Sequence, residues 1–183
     1  MQKKLEGKDI IQFWFNEINS DQWFKKDSTF DDYLRLRFGG AVRRALNGDL
    51  DLWSKTDEGC LALILLLDQF TRNIYRGNPK AYSGDEMALA LSFHSVKHGF
   101  IKHPNEVYRR FMLMPMMHSE DFCVQKSSLV LFYEHTNRET HSYAKKHFDI
   151  IDKFGRFPHR NSILGRPSSV EEEEFLTGPN SAF

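Results

Sequence analysis

Asp68 is the residue with the most demanding chemistry. It follows an unbroken apolar run from Gly59 to Leu67. An unpaired carboxylate in such a place carries a heavy desolvation cost, so it must be paired, solvated or protonated. Arg72 stands one helical turn on and Arg76 one turn beyond, so all three are expected on one face. The spacing fits a structural ion pair closing a helix end. It equally fits a site wall in which two guanidinium forks, with Asn73 between them, meet a carboxylate or phosphate. Both readings stand at this level.

Three further strings offer chemistry. His118-Ser119-Glu120-Asp121 follows a proline and opens a helix. Ser119 and one acid are accounted for by capping and the helix dipole, which leaves His118 as a possible general acid or base oriented by Glu120 or Asp121. His147 lies on the apolar stripe Tyr143, Ile150, Phe154, where a core role competes with a catalytic one, while Asp149 points elsewhere. His118 and His147 could together bind a metal, but the expectation is that the chain offers no HxxxH or HExxH spacing, and His141 to His147 is six apart, so neither metal nor cofactor is expected. In Gly155-Arg156-Phe157-Pro158-His159-Arg160-Asn161, cationic side chains sit on a loop stiffened by Pro158. Arg156, His159 and Arg160 suit anion capture there, or alternatively the capping of helix carbonyls.

The elements that must carry these residues are helices. Apolar positions from Ile10 to Ile18 give a short first one. Asp27 or Ser28 starts a second, ending at Asn47-Gly48-Asp49, with a break or close crossing expected at Gly39-Gly40. The run through Leu67 is apolar on every side and predicts a central helix. Capping boxes are expected at Ser83 with Glu86, Thr136 with Glu139, and Ser168 with Glu171. Pro104 opens a helix that Pro115 should stop, and Gly155 ends the one bearing His147. Glu171 to Glu174 read as a solvated helix start, and the methionines from Met112 to Met117 as pliable core. No strand-like alternation of useful length appears. Short connections predict antiparallel helix pairs, an all-α fold, and one helical domain over 1–183 with 178–183 a frayed tail.

Composition narrows the function classes. Lys and Arg total 25 against 25 Asp and Glu, which argues against general nucleic-acid binding. Cys60 and Cys123 each sit in an apolar run, a reducing-compartment pattern that points to the cytoplasm. The longest apolar run is too short to span a membrane. No phosphate loop, GxSxG elbow or dinucleotide fingerprint occurs, which disfavours covalent catalysis through a known nucleophile motif.

Four strings together carry a specific likeness: Leu67-Asp68-Gln69-Phe70-Thr71-Arg72-Asn73-Ile74-Tyr75-Arg76-Gly77, Pro115-Met116-Met117-His118-Ser119-Glu120-Asp121, Phe154 to Asn161, and Leu164-Gly165-Arg166 with the glutamates after it. With the Phe13-Trp14-Phe15 opening, the sequence resembles the bacterial family of unknown function DUF924 over nearly its whole length. The resemblance implies a tetratricopeptide-like, right-handed superhelical array of helix pairs and no established activity. A proline is usual in that family where Thr71 stands, so the helix end there is expected to be less sharply fixed. The polar strings all fall at helix ends. The expectation is that Arg72, Arg76, His118, Asp121, Arg156, His159 and Arg160, with Asn73, Glu120 and Arg166, converge on one pocket for a small anionic ligand or an acidic peptide end. An enzyme using His118 or His147 beside Asp68 or Asp121, and a protein-interaction scaffold, are the alternatives.

Overall fold

The computed structural model describes residues 5–179 and 181. Among them there are helices and no strand. In chain order these are α1 (Gly7–Gln12), α2 (Ser28–Leu46), α3 (Asp57–Ile64), α4 (Thr71–Ile74), α5 (Asp85–Lys97), α6 (Glu106–Met117), α7 (Phe122–His135), α8 (Arg138–Phe154), α9 (Asn161–Leu164) and α10 (Val170–Leu176). None of the described helices is long and apolar enough to cross a membrane. The expected tail at 178–183 lies partly outside the described residues. Ser181 within it is buried and donates to the Leu176 carbonyl at 3.2 Å.

The all-round apolar helix is central, as its composition requires. Gly59 to Phe70 are buried without exception, and α3 packs on α1, α5 and α6. It continues through a π turn, Leu65–Phe70, directly into α4. A π turn widens one helical turn, and nothing in apolar periodicity announces it. Thr71 does not blunt this helix end. Its hydroxyl donates to the Leu67 carbonyl at 2.7 Å and the chain stays helical to Ile74. Phe13, Trp14, Phe38, Phe70 and Phe111 interlock around the same core. A smaller apolar cluster, Ile150, Ile151 and Phe157, lies under the α8–α9 connection.

Several expectations about boundaries are corrected. Pro115 does not stop its helix: α6 runs on to Met117. The ring removes one backbone donor, and burial of every side chain from Phe111 to Met117 outweighs that loss. Gly39-Gly40 neither breaks α2 nor marks a close crossing. A methyl on Gly39 would meet only the Arg43 and Arg35 side chains, at 3.7 and 3.9 Å. Three caps are displaced. Gly84 precedes α5 without a side-chain cap, Asn137 rather than Thr136 caps α8, and Ser169 with Glu172 forms the box of α10. Glu172 is therefore buried, not solvated. From α5 to α8, consecutive helices pack on one another: α5 on α6, α6 on α7 and α7 on α8.

Candidate functional site

Asp68 sits in the π turn, where its side chain points inward beside the end of α6. It is fully buried. His118, the residue capping α6, places Nδ1 2.7 Å from Asp68 Oδ1. The Gln69 side chain donates to Asp68 Oδ2. One turn on, Arg72 Nη1 reaches Asp68 Oδ1 at 3.1 Å and its carbonyl at 2.8 Å. The carboxylate cost read from sequence is thus met by an arginine and a histidine together. Burial pushes the Asp68 carboxyl up, but the neighbouring Arg72 and His118 outweigh it and hold it well below the usual carboxylate range.

Arg72 also makes a fork-to-fork pair with Asp85, at 2.8 and 3.2 Å. Asp85 belongs to the first turn of α5, and Gly84 sets it there. A methyl on Gly84 would lie 2.3 Å from the Leu67 carbonyl oxygen, so only glycine lets α5 start this close to the central helix. A second guanidinium meets the same carboxylate: Arg160 Nη1 lies 3.3 Å from Asp85 Oδ2. Arg160 is buried, donates from Nη2 to the His118 carbonyl at 2.9 Å, and is flanked by the rings of Tyr82 at 4.8 Å and Phe157 at 4.6 Å. Among the described residues its Nε has no hydrogen-bond partner, nor has the buried Nδ1 of the adjacent His159.

Three imidazoles surround this pair. His118 and His147 have ring centroids 6.1 Å apart, and Phe157 lies between His147 at 5.7 Å and His159 at 5.6 Å. A carbonyl can only accept, so His147 Nδ1 donates to the Tyr143 carbonyl at 2.8 Å. His118 Nδ1 likewise donates to the ionised Asp68. Burial, with the Arg72 and Arg160 charges behind it, lowers the His118 pKa in spite of Asp68. Burial and the His118 charge take His147 down to about 3, and burial with Arg160 takes His159 to about 4. At neutral pH the three imidazoles of the cluster are therefore neutral.

Other members of the polar strings build the frame. Glu120 accepts from both Nη atoms of Arg166, at 2.7 and 2.9 Å, and from the Phe157 N–H at 2.8 Å. Arg166 Nε reaches Asn161 Oδ1 at 3.0 Å. Together they fix the turn Pro158–Arg160 that carries His159 and Arg160. Arg156 pairs with Glu172 through two contacts of 2.7 Å, which holds the Glu172 carboxyl down at about 2. Asp121 caps α7 through the Val124 N–H at 2.9 Å.

The structure thus brings together Asp68, Arg72, His118, His147, His159 and Arg160. It does not bring Arg76, Asn73, Asp121 or Arg156 to them. Arg76 leaves the Asp68 face altogether, pairing with buried Asp31 of α2 at 2.6 and 2.9 Å and with Asn73 at 2.8 Å. Asp85 and Tyr82 were missed by the sequence reading. Asp85 is a first-turn acid of α5, and nothing local marks it as shared by two arginines. Two surface clefts lie elsewhere, the larger of about 410 Å³ beside Phe13, Glu17 and Tyr33. Among the described residues, no group of three or more His, Cys, Asp or Glu side chains is placed to hold a metal ion.

The arrangement can do two things chemically. Arg72 and Arg160 can hold an anion between them if Asp85 yields. His118, with its proton fixed on Nδ1 by Asp68, leaves Nε2 as the basic atom. Comparisons with known proteins bear on the fold more than on this chemistry. The model of a family described as bacterial protein of unknown function, DUF924, matches residues 10–180. A solved structure, that of a protein of unknown function from Agrobacterium tumefaciens, is similar at 37% identity and a TM-score of 0.87, covering 93% of this chain and 96% of that one. No curated protein matches.

Proposed function

We propose that this chain, which belongs to the DUF924 family of bacterial proteins of unknown function, binds a small anionic ligand. The binding groups are Arg72 and Arg160, with His118 and His159 beside them. The observation that carries the reading is Asp85: one partly exposed carboxylate accepts from both guanidiniums, at 2.8 and 3.3 Å. A carboxylate or phosphate group of a ligand has the same shape and charge and can take that place. Arg160 Nε and His159 Nδ1, buried without a partner among the described residues, are available to the same ligand. The tetratricopeptide-like superhelical array is part of the same proposal, supported by the consecutive packing of α5 to α8. So is a cytoplasmic setting, supported by the unpaired Cys60 and Cys123.

A thermal-shift screen at constant ionic strength tests this directly. Phosphate, pyrophosphate and malonate at millimolar concentration should raise the midpoint of the parent, because a ligand of the folded state alone stabilises it. No rise with any of them, against a chloride control, would contradict the reading.

A second reading, an acid–base enzyme, is favoured by the 2.7 Å His118–Asp68 contact. A buried carboxylate that fixes the tautomer of a histidine prepares Nε2 to take a proton. His118→Gln would then abolish turnover of a bound ligand while leaving its affinity within a few-fold. Loss of affinity equal to the loss of turnover would return His118 to a binding role.

A further inference from the structure

A second histidine pair lies outside the cluster, near the C-terminal end of α5. His94 and His98 are four residues apart, and their ring centroids are 4.1 Å apart at an interplanar angle of 31°. His94-Ser95-Val96-Lys97-His98 is an HxxxH spacing, which corrects the expectation that the chain has none. Histidines in that register share one helix face and form the chelating half of helix-borne zinc sites.

The environment of His94 prepares it as a ligand. Its Nε2 lies 3.1 Å from the Ser54 carbonyl oxygen, in the turn Asp51–Lys55. The carbonyl can only accept, so Nε2 carries the proton, and in the neutral ring Nδ1 keeps the lone pair. Metal-bound histidines are oriented in this way, by a carbonyl or carboxylate on the second ring nitrogen. His98 is exposed at the residue that caps α5. The negative end of the helix dipole favours a cation there. Phe100 walls both rings, with centroids 5.7 and 5.8 Å away.

The spacing fits a shared ion. With metal–nitrogen bonds of about 2.1 Å and a ring radius of about 1.2 Å, the tetragonal ligand angle of about 90° puts two imidazole centroids about 4.7 Å apart. The observed 4.1 Å needs an opening of roughly half an ångström, within the reach of an exposed rotamer.

We propose that His94 and His98 form a two-histidine chelate for a divalent transition metal of the imidazole-preferring class, with water completing the coordination. Cu²⁺ binds most tightly, Ni²⁺ and Zn²⁺ more weakly, and Mg²⁺ and Ca²⁺ not at all. The site is independent of the anion cluster, and its test does not depend on that reading.

The experiment is Cu²⁺ titration of the untagged full chain, followed by electron paramagnetic resonance and by the unfolding midpoint. His98→Ala and His94→Gln are compared with the parent, and His141→Ala serves as a single-histidine control. The expected parent spectrum has two equatorial imidazole nitrogens. His98→Ala should reduce this to one and weaken binding by at least about tenfold, because the second ligand acts at high effective concentration. His141→Ala should change neither. His98 is exposed, so its variant keeps the fold, and circular dichroism checks this. A one-nitrogen spectrum in the parent, or equal Cu²⁺ affinity in the parent and His98→Ala, overturns the proposal.

Discussion

Lowering the pH should destabilise this protein through its buried histidines. His147 is held at about 3 and His159 at about 4, against an ordinary 6.5, and His118 is also lowered. Burial is the first cause for each, with neighbouring positive charge adding to it. Below the ordinary histidine pKa the unfolded chain takes up protons that the folded chain refuses, so stability falls with pH. At pH 4.5 an imidazole neutral in the fold and ordinary when unfolded costs about 2.7 kcal/mol. His147 contributes that in full and His159 slightly less, together about 5 kcal/mol before His118 is counted. Domains of this kind have a total stability of roughly 5–15 kcal/mol, so the loss is a large share of it. Asp68 adds a loss of the same sign at still lower pH, since its carboxyl is also depressed. The assay is urea unfolding by circular dichroism from pH 7.5 to 4.5. The expected slope below pH 6 is up to about 1.4 kcal/mol per pH unit for each histidine, and His147→Gln removes one such share. A stability that stays level from pH 7 to pH 5 would refute the buried, neutral cluster.

Three further outcomes are expected. Asp68→Asn should cost roughly 1.5–3 kcal/mol in urea unfolding, because it replaces the charged acceptor of the His118 and Arg72 hydrogen bonds while half-buried Arg72 keeps Asp85; a cost under about 0.5 kcal/mol would show the carboxylate to be solvated. Asp85→Asn should raise phosphate affinity by about fivefold, equivalent to about 1 kcal/mol for removing one competing, partly exposed charge, as read by calorimetry; weaker binding would mean that Asp85 supports the site instead of competing in it. Gly84→Ala should lower the unfolding midpoint, since its methyl would lie 2.3 Å from the Leu67 carbonyl oxygen and force α5 away from the central helix; a variant as stable as the parent would contradict the close approach.

The sequence carried the helical class and the burden on Asp68, because both follow from local rules. An apolar run on every side must be central, and a carboxylate at its end must find a partner. Partner choice was not legible. Arg72, Arg76, Arg156, Arg160 and Arg166 look equivalent in the chain, yet three of them are committed to Asp31, Glu172 and Glu120, and only two meet at Asp85. Those carboxylates are between 13 and 75 residues away along the chain for Asp85 alone, so no periodicity reveals them. The π turn at Leu65–Phe70 and the survival of α6 past Pro115 were hidden for a related reason. Both are backbone irregularities that tertiary packing tolerates and local propensity penalises.

The most direct measurement of the central claim is a calorimetric titration of inorganic phosphate and of malonate into the parent, Arg160→Lys and Arg166→Lys at fixed ionic strength. Lysine keeps the charge and removes the planar fork, so each variant tests recognition and not net charge. The account predicts saturable one-to-one binding of at least one probe to the parent, a loss of about tenfold or more in Arg160→Lys, and parent-like affinity in Arg166→Lys, whose fork belongs to Glu120. Equal affinity in the parent and Arg160→Lys, or no heat with either probe, would contradict it.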